Sequence, residues 1–457
     1  MGVNNSKKSK SELSSLSADE KAIVLKTFKL ASKNSERLKQ DDLKDFWGSR
    51  IDERLFHYIS NYLFNGGNGS HHSDEVQIET FKNLFICSVR GTVDEKLDFI
   101  KKSIGNKKFV DGELPYNELK EFVDSIVSSY VQVQNASKNR DLQSWHFNAT
   151  NPQSLVRFSE SILEQFDQNC IGDRALEGWI QTATLFAQLQ KLLFYNLFGA
   201  GVSKSHDVKD PHMHGDSDES VLIGLHKNYE LLPRFTGPDL PAHYKSLLDI
   251  SQMIFLNAHL PQENQNEWRL LFSTDIHGES FSTLIGKIMN QGATVIIVED
   301  NHGHIFGGFT PVSWAMKPKF YGDSGTFLFT LVPKMKVYHS TGYNDHYQYL
   351  CLNQQTLPNG LGMGGQFHYW GLWLDHDFGH GQSSESCTTF SEYSQLSNTK
   401  NFRIKNIDVW GVGMPEEVET TDEAPAKSVL DTNIETKAVL QLAGRKIHSE
   451  GIREESN

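Results

Sequence analysis

Cysteine is scarce in this sequence. Its 457 residues contain four cysteines, Cys87, Cys170, Cys351 and Cys387, which are widely separated and form no C-x-x-C pair. Small secreted domains carry dense cysteine frameworks, and many zinc sites use closely spaced pairs. The sequence therefore predicts four free thiols in a reducing compartment. We expect no bound metal and no cofactor.

Long apolar runs and a surplus of positive charge are also missing. Residues 1–30 lack the apolar stretch of a secretory signal. The most apolar long segment, 175–198, is interrupted by Glu177 and Lys191, which favours a buried helix over a membrane span. Lys and Arg number 44 against 57 Asp and Glu, for a net charge of −13, which argues against nucleic acid as a partner. We expect a cytoplasmic protein.

The N-terminal residues match a lipid-anchor pattern. Gly2 follows the removable Met1, and Ser6 lies four positions after Gly2, as in N-myristoylation sites. One myristoyl chain binds membranes only marginally, so a basic cluster that meets anionic lipid is a useful second signal. The residues of such a cluster are Lys7, Lys8 and Lys10. We predict a myristoylated basic anchor over residues 1–16, and the alternative is a polar tail that happens to begin with glycine.

Helical patterns dominate the next part of the chain, residues 17–138. Ser17 and Glu20 have the spacing of a capping box, and apolar residues at helical spacing follow. A second helical stretch covers residues 139–202, and the polar segment 203–239 is typical of a linker. The linker residues that could hold a metal, although polar loops often collect them without one, are His206, His212, His214, Asp216 and Asp218.

Two loops in the first helical stretch resemble degenerate EF-hand calcium loops. Asp111-Gly112 and Glu118 match the middle and the end of such a loop. Lys107 and Phe109 stand where its first two oxygen ligands belong, and neither a cation nor a ring can bind calcium there. The residues at those positions in a similar stretch are Ala31 and Lys33. We predict a degenerate, structural EF-hand-like domain, with calcium sensing through Glu118 as the alternative.

The pattern changes to β-rich sequence after residue 240. One helix with apolar residues at helical spacing, 281–289, interrupts segments rich in β-branched and aromatic residues. The predicted strands are 268–273, 294–298, 305–309, 326–331, 336–338, 347–352, 371–374 and 404–410. The sequence thus predicts an α+β multi-domain chain. Its N-terminal region is all-helical and EF-hand-like, and its C-terminal domain is an antiparallel β-sandwich flanked by helices.

Motifs in residues 240–413 resemble the TLDc domain family, and they occur in the family's order. The residues that carry this resemblance are Ser273, His277, Gly278, Gly307, Phe309, Gly364, Gly365, Trp373, Asp375, Cys387, Phe390 and Trp410. The resemblance implies a TLDc domain, and the family is linked to oxidation resistance and to binding of the V-ATPase. Ser324-Gly325 departs from the Gly-Glu of many TLDc domains, so no activity of that acidic side chain is expected here.

Two further segments, 339–347 and 358–365, resemble one branch of the family, whose members are myristoylated and associate with lysosomes and with mTOR. The Gly2 pattern agrees with this branch. The resemblance implies three classes of partner, namely the mTOR complex, V-ATPase subunits and anionic membrane lipids. It also implies a location in the cytoplasm and on the cytosolic face of the lysosomal membrane.

Two patterns could indicate catalysis instead. A short polar stretch could supply a nucleophile, a base or a metal site through Asp375, His376, Asp377, His380 and Cys387. Its glycines and acidic residues indicate a loop, in which the spacing of the two histidines fixes no common face. The glycine-rich run 360–365 lacks the Lys-Ser/Thr of a phosphate-binding loop, which favours a turn with positive-φ glycines. We expect that this protein is not an enzyme.

The chain ends in an acidic linker, 414–427, and a predicted helix with a tail, 428–457. The helix either packs on the TLDc domain or docks on a partner. The residues predicted to contact a partner are Leu430, Ile434, Leu440 and Ile447. We predict a non-enzymatic lysosomal-membrane adaptor that associates with mTOR signalling, binds the V-ATPase through its TLDc domain and C-terminal helix, or does both. The alternative is an oxidation-resistance protein with redox activity.

Overall fold

The computed structural model describes residues 16–65, 73–105, 108–110, 112–136, 143–166, 169–199 and 231–414. Several predicted features lie outside these ranges, including the histidine-rich part of the linker and almost all of the acidic linker. The candidate site residues outside them are Gly2, Lys7, Lys8, Lys10, Leu430, Ile434, Leu440 and Ile447. Across the described ranges, no helix combines the length and the apolar character needed to span a membrane.

Helices form the first half of the described structure. The helices are α1 (Ala18–Ala31), α2 (Gln40–Trp47), α3 (Glu53–Phe64), α4 (Ile78–Val89), α5 (Val93–Ile104), α6 (Tyr116–Ala136), α7 (Pro152–Ile162), α8 (Asp173–Thr182) and α9 (Thr184–Gly199). The predicted capping box starts α1, because Glu20 N donates to Ser17 Oγ at 3.2 Å and Ser17 N donates to Glu20 Oε2 at 2.9 Å.

Short strands join these helices into EF-hand-like pairs. The strands are β1 (Leu38–Lys39), β2 (Glu75–Val76), β3 (Leu114–Pro115) and β4 (Cys170–Ile171). β1 pairs antiparallel with β2, and β3 pairs antiparallel with β4. Each strand lies in the loop between two helices, so the described residues contain four helix–loop–helix units in two pairs. The sequence pattern indicated the first and third units but not the second and fourth.

The last helix of this region, α9, lies in its core. Trp47 Nε1 donates to Leu197 O at 3.2 Å, and Thr27 Oγ1 donates to Phe198 O at 2.5 Å. The ring of Phe198 packs on the rings of Trp47 and Phe81 at centroid distances of 5.2 and 5.0 Å. Helices on both sides of the division predicted near residue 138 therefore share one hydrophobic core, and we describe them together as the helical region.

The second half is an antiparallel β structure with three helices, α10 (Ile250–His259), α11 (Thr274–His277) and α12 (Phe281–Ile288). Its strands are β5 (Arg234–Phe235), β6 (Glu267–Ser273), β7 (Thr294–Asp300), β8 (Ile305–Thr310), β9 (Lys317–Tyr321), β10 (Phe327–Val332), β11 (Lys336–His339), β12 (Gln348–Cys351), β13 (Gly360–Gln366), β14 (Tyr369–Asp375), β15 (His380–Gln382) and β16 (Asn401–Val412). The predicted α+β class is confirmed.

The long strand β16 connects two layers of this domain. The strand order is β11-β10-β8-β7-β16-β15-β14-β13-β12-β9, and β6 also pairs with β16. The first part of β16 pairs with β15, and its second part pairs with β7 and β6. Ile296 and Leu328 of one layer form a single buried cluster with Leu361, Met363 and Leu372 of the other. The core of the domain therefore lies between the layers.

The glycine-rich run 360–365 forms strand β13, so the expectation of a turn was wrong. Alternate glycines of this strand face indole rings. A Cβ at Gly362 would lie 2.5 Å from the Trp370 ring, and a Cβ at Gly360 would lie 2.5 Å from the Trp373 ring. Gly364 and Gly365 do have positive φ, at 71° and 81°. The glycines thus make room for aromatic packing along a strand.

We expect Gly307→Ala to destabilise the TLDc-like domain by about 1–3 kcal/mol, the usual cost of forcing extra atoms into a packed core. A Cβ at Gly307 would lie 1.8 Å from Ile296 O, so β8 would have to move away from β7. Urea unfolding of the full chain, followed by tryptophan fluorescence, measures the change.

The matched control is Gly286→Ala, inside α12, where no heavy atom lies within 4 Å of the new Cβ. Alanine is favoured over glycine in a helix by about 1 kcal/mol, so this variant should be equal to or more stable than the parent. An unchanged urea midpoint for Gly307→Ala would contradict the packing of β8 on β7.

Candidate functional site

Lysine side chains bind the last carboxylate of both predicted EF-hand-like loops. In a calcium loop, an acidic residue at the twelfth position closes on the metal. Here Lys33 Nζ lies 2.7 Å from Asp42 Oδ1, and Lys108 Nζ lies 2.5 Å from Glu118 Oε2. The pairing with Asp42 raises the pKa of Lys33. A protein cation thus neutralises the carboxylate that calcium would use.

The other two helix–loop–helix units lack that carboxylate. Aligned on their short strands, their twelfth positions are Thr80 and Ala175. Among the described residues, no group of three or more His, Cys, Asp or Glu side chains is arranged to hold a metal ion. The geometry of the described loops therefore favours a structural role.

Several family-motif residues pack together behind β13. A Cβ at Gly364 would lie 2.4 Å from the Phe390 ring and 3.0 Å from Cys387 Sγ. Burial raises the pKa of the Cys387 thiol. A raised pKa keeps the thiol protonated and makes it a poor nucleophile. Cys387 is therefore a packing residue in this arrangement.

The histidines of the candidate catalytic stretch lie away from this thiol. His376 Nδ1 lies 2.9 Å from Oδ1 of its neighbour Asp375, whose other oxygen accepts from Trp373 Nε1 at 3.4 Å. His380 lies opposite Arg403 in the β15–β16 ladder and is exposed. The structure does not bring these histidines together with Cys387 as a nucleophile and its base.

The remaining motif residues are also structural. His277 stacks on Phe272 at 5.5 Å between ring centroids, and Gly278 ends α11 with a φ of 75°. Phe309 packs on Phe327 at 5.0 Å, and Trp410 is fully buried.

Ser273 borders a polar pocket of about 320 Å³. Its lining includes Asn148, Lys245, Ser273, Asp275 and Asp408. Asp408 Oδ2 accepts from Tyr244 Oη at 2.9 Å and from Leu247 N at 3.2 Å. Burial raises the pKa of Asp408 to about 6 and also raises the pKa of Tyr244. The pocket thus holds a carboxyl group that titrates near neutral pH.

Ser273, His277 and Asp408 are neighbours, but they do not form a catalytic triad. His277 Nδ1 accepts from the backbone N of Ser273 at 3.1 Å, and Ser273 Oγ accepts from Asp275 N at 3.2 Å as the N-cap of α11. Burial lowers the pKa of His277. A triad needs the histidine to receive the serine hydroxyl proton. Here the histidine accepts from the Ser273 backbone amide instead, and the serine hydroxyl hydrogen-bonds the Asp275 amide and the Asp408 carboxyl.

The polar pocket adjoins the contact between the helical region and the β domain. Trp145, which follows α6 in the chain, packs on Trp410 at 5.0 Å and on Trp268 at 6.0 Å between ring centroids. Ser246 N donates to His146 O at 3.1 Å, and Asn148 N donates to Leu248 O at 3.2 Å. We call this set of contacts the Trp145 joint.

A second contact between the two parts is ionic. Glu164 Oε1, just after α7, lies 3.1 Å from both Lys334 Nζ and Lys336 Nζ. Burial opposes ionisation of Glu164, but the two lysines outweigh it and lower its pKa. The β10–β11 turn is thereby held against the fourth helix–loop–helix unit.

Sequence reasoning missed Asp408 and the role of Trp145. Trp145 lies within the predicted helical stretch 139–202, whereas its ring is buried against β strands. A signal for Asp408 was present, because it stands between Ile407 and Val409 in a strand that is buried on both faces there. An acidic residue in such a position indicates a dedicated hydrogen-bond set.

We expect protonated Asp408 to contribute to the free energy of unfolding of the full chain. This contribution should decrease as pH rises through about 6. Its folded pKa lies above its unfolded value of 3.8, so the folded state binds the proton more tightly. The contribution is fully present below pH 3.8 and lost above pH 6, and it amounts to about 3 kcal/mol. Thermal unfolding of wild type and Asp408→Asn from below pH 3.8 to above pH 6 measures it.

Asp408→Asn should flatten this part of the stability–pH curve. Asp345→Asn, at an exposed position, is the matched control and should leave the curve as in wild type. Identical curves for wild type and Asp408→Asn would contradict the buried, titrating carboxyl.

Comparisons with known proteins extend over nearly the whole chain. The TLDc domain profile matches residues 242–413. The MTOR-associated protein MEAK7 of Gallus gallus is 35% identical over 446 residues, covering 93% of this chain and 90% of that protein. The Homo sapiens protein of the same name is 34% identical, covering 84% of this chain and 81% of that protein.

Similarity to a second group of proteins covers a smaller share of the chain, about the length of the TLDc domain. Oxidation resistance protein 1 of Bos taurus is 34% identical over 172 residues, covering 37% of this chain and 18% of that protein. The resemblance to the TLDc domain and to its mTOR-associated branch is confirmed. The chain belongs to the TLDc-domain family, and it is similar to the MTOR-associated members of that family across the helical region as well as the TLDc domain.

Proposed function

We propose that this protein is a non-enzymatic adaptor on the cytosolic face of the lysosomal membrane, where it associates with mTOR signalling, binds the V-ATPase, or does both. The observation that carries the proposal is the similarity to MTOR-associated relatives over 93% of the chain. A shared TLDc domain alone would not favour this branch, because oxidation resistance proteins share that domain as well.

The fixed contact between the two parts supports an adaptor role. The Trp145 joint and the Glu164 ion pairs connect the helical region to the TLDc domain through apolar, backbone and ionic contacts. Surfaces on the two parts therefore keep a set spacing, and little orientational freedom is lost when both meet a partner. An adaptor that contacts a large assembly at two places benefits from this arrangement.

Membrane attachment would come from the N-terminal sequence. The net charge of −13 repels an anionic membrane surface. A myristoyl group on Gly2 would supply apolar attachment, and Lys7, Lys8 and Lys10 would supply about 1 kcal/mol each near anionic lipid. Two weak signals together give useful binding where one does not.

The redox alternative has support from one observation, the similarity of the TLDc domain to oxidation resistance proteins. The chemistry of Cys387 does not add to it, since that thiol is buried and its pKa is raised. A role in oxidant protection would then depend on a surface of the TLDc domain and on a partner, and not on this cysteine.

Gly2→Ala should shift the full chain from the membrane fraction to the soluble fraction of cell lysate, because it removes the acylation site. Asn4→Ala is the matched control, since the myristoylation pattern leaves that position open. Sedimentation of lysosome-enriched membranes followed by immunoblotting measures the distribution. Equal membrane fractions for Gly2→Ala and wild type would contradict the lipid anchor.

The full chain should co-purify mTOR or V-ATPase subunits from lysosomal extract, and removal of residues 428–457 should weaken recovery of the pump. Affinity purification from matched extracts, with the two chains at equal amounts, measures both partners by mass spectrometry. Recovery of neither mTOR nor pump subunits with the full chain would contradict the adaptor proposal.

A further inference from the structure

A groove of about 1200 Å³ opens between the helical region and the TLDc domain. The start of α9 forms one wall, with Thr184, Leu185 and Phe186, and the end of α10 and the start of β6 form the other, with Phe255 and Glu267. Most of its lining side chains are apolar or neutral and polar. This composition suits an amphipathic helix of low charge.

The described part of the chain ends at the rim of this groove. Gly413 N donates to Glu267 O at 2.8 Å, and Arg269 Nη1 donates to Gly413 O at 2.9 Å. Because Glu267 lines the groove, the chain leaves the TLDc domain beside it. Met414, the next residue, is 77% exposed. Residues 415–457 therefore start at the groove.

We propose that the C-terminal segment 428–447 of this same chain docks as a helix in the groove. The proposal goes beyond the adaptor function and does not require any of its partners. A helix of another protein could have suitable chemistry, but the tail starts at the rim and is tethered there. The groove thus binds the tail when no partner is present. A partner that binds the tail must compete with the groove for it.

The composition of the segment fits the groove. Between Ser428 and Ala443 only three residues are charged, Asp431, Glu435 and Lys437. Its apolar residues include the four that were predicted to contact a partner, Leu430, Ile434, Leu440 and Ile447. The groove offers the partly exposed side chains of Ile162, Leu185 and Ala258 for them.

The dimensions fit as well. A helix about 10 Å wide that rises 1.5 Å per residue occupies roughly 120 Å³ per residue, so the groove has room for about ten residues, or three turns. The span from Leu430 to Leu440 is of this length, so this part of the segment would lie in the groove and the residues on either side of it would extend beyond.

Because segment 428–447 is tethered beside the groove, it is favoured there over a helix of a separate protein. Sixteen residues separate Gly413 from Leu430. A flexible chain of that length spans about 20–24 Å, which reaches any part of a groove that begins at its origin. Short linkers give effective concentrations of about 1 mM, so even a weak contact would be mostly occupied.

Hydrogen–deuterium exchange of the full chain tests the proposal. The amides of Thr184, Leu185 and Phe186 lie in the first turn of α9, where a helix offers no internal acceptor, so a segment that covers the groove should slow their exchange further. A chain truncated before Ser428 should exchange these amides at least about fivefold faster than the full chain. Adding a synthetic peptide of residues 428–447 to the truncated chain should slow them again.

Point variants locate the contact. Thr184 lines the groove, and Gln181 is exposed on α8 outside it. Thr184→Arg is therefore the test variant and Gln181→Arg its control. Thr184→Arg in the full chain should give the fast exchange of the truncated chain at Leu185 and Phe186, and Gln181→Arg should not. In the tail, Ile434→Asp should have the same effect as truncation, with Thr436→Asp as its control.

Three results would overturn the proposal. Equal exchange in the full and truncated chains would show that the tail does not cover the groove. Slow exchange that persists after truncation would assign the groove to another occupant. Protection that follows chain concentration, and disappears on dilution of the full chain, would show that a second copy supplies the tail.

Discussion

The burial of Trp145 is the contact on which the arrangement of the two halves depends. The indole belongs to the segment between α6 and α7 of the helical region, yet its neighbours are Phe235 of β5 and Trp268 and Trp410 of the TLDc domain. Aromatic side chains contribute large apolar areas at an interface, and a tryptophan in its centre contributes most. The backbone hydrogen bonds beside it align the segments. The polar pocket with Asp408 and the groove at the tail both lie between elements that this joint holds in place.

Helix starts and most strands could be predicted because their signals are local. Ser17 with Glu20 specifies a helix start within four residues, and the apolar strands of the TLDc domain have clear bounds. Strand β13 could not be predicted, because its glycines are required by the space that the Trp370 and Trp373 rings of the next strand occupy. The family resemblance located the domain correctly, but it could not say that Cys387 is a packing residue. The role of Asp408 depends on Tyr244 and Leu247, far away in sequence.

In two of the EF-hand-like loops, lysine side chains take up the carboxylates of the metal-binding pattern. Lys33 and Lys108 meet the carboxylates that would close on calcium, and both pairs are partly exposed to solvent. Exposed pairs of this kind contribute little to stability, so the units are held mainly by their shared apolar core. That core includes Phe81 and Phe198, from helices far apart in the chain.

Strand β16 belongs to both layers of the TLDc domain, and this has a consequence for how long the protein lasts in a cell. Its first residues pair with β15 and its later residues pair with β6 and β7. Both layers therefore lose backbone hydrogen bonds if β16 detaches. Loss of either layer also exposes the core that lies between them. Partial opening is then nearly as costly as complete unfolding. A protease would meet either the intact domain or a fully open chain, and turnover of the protein would follow its global unfolding.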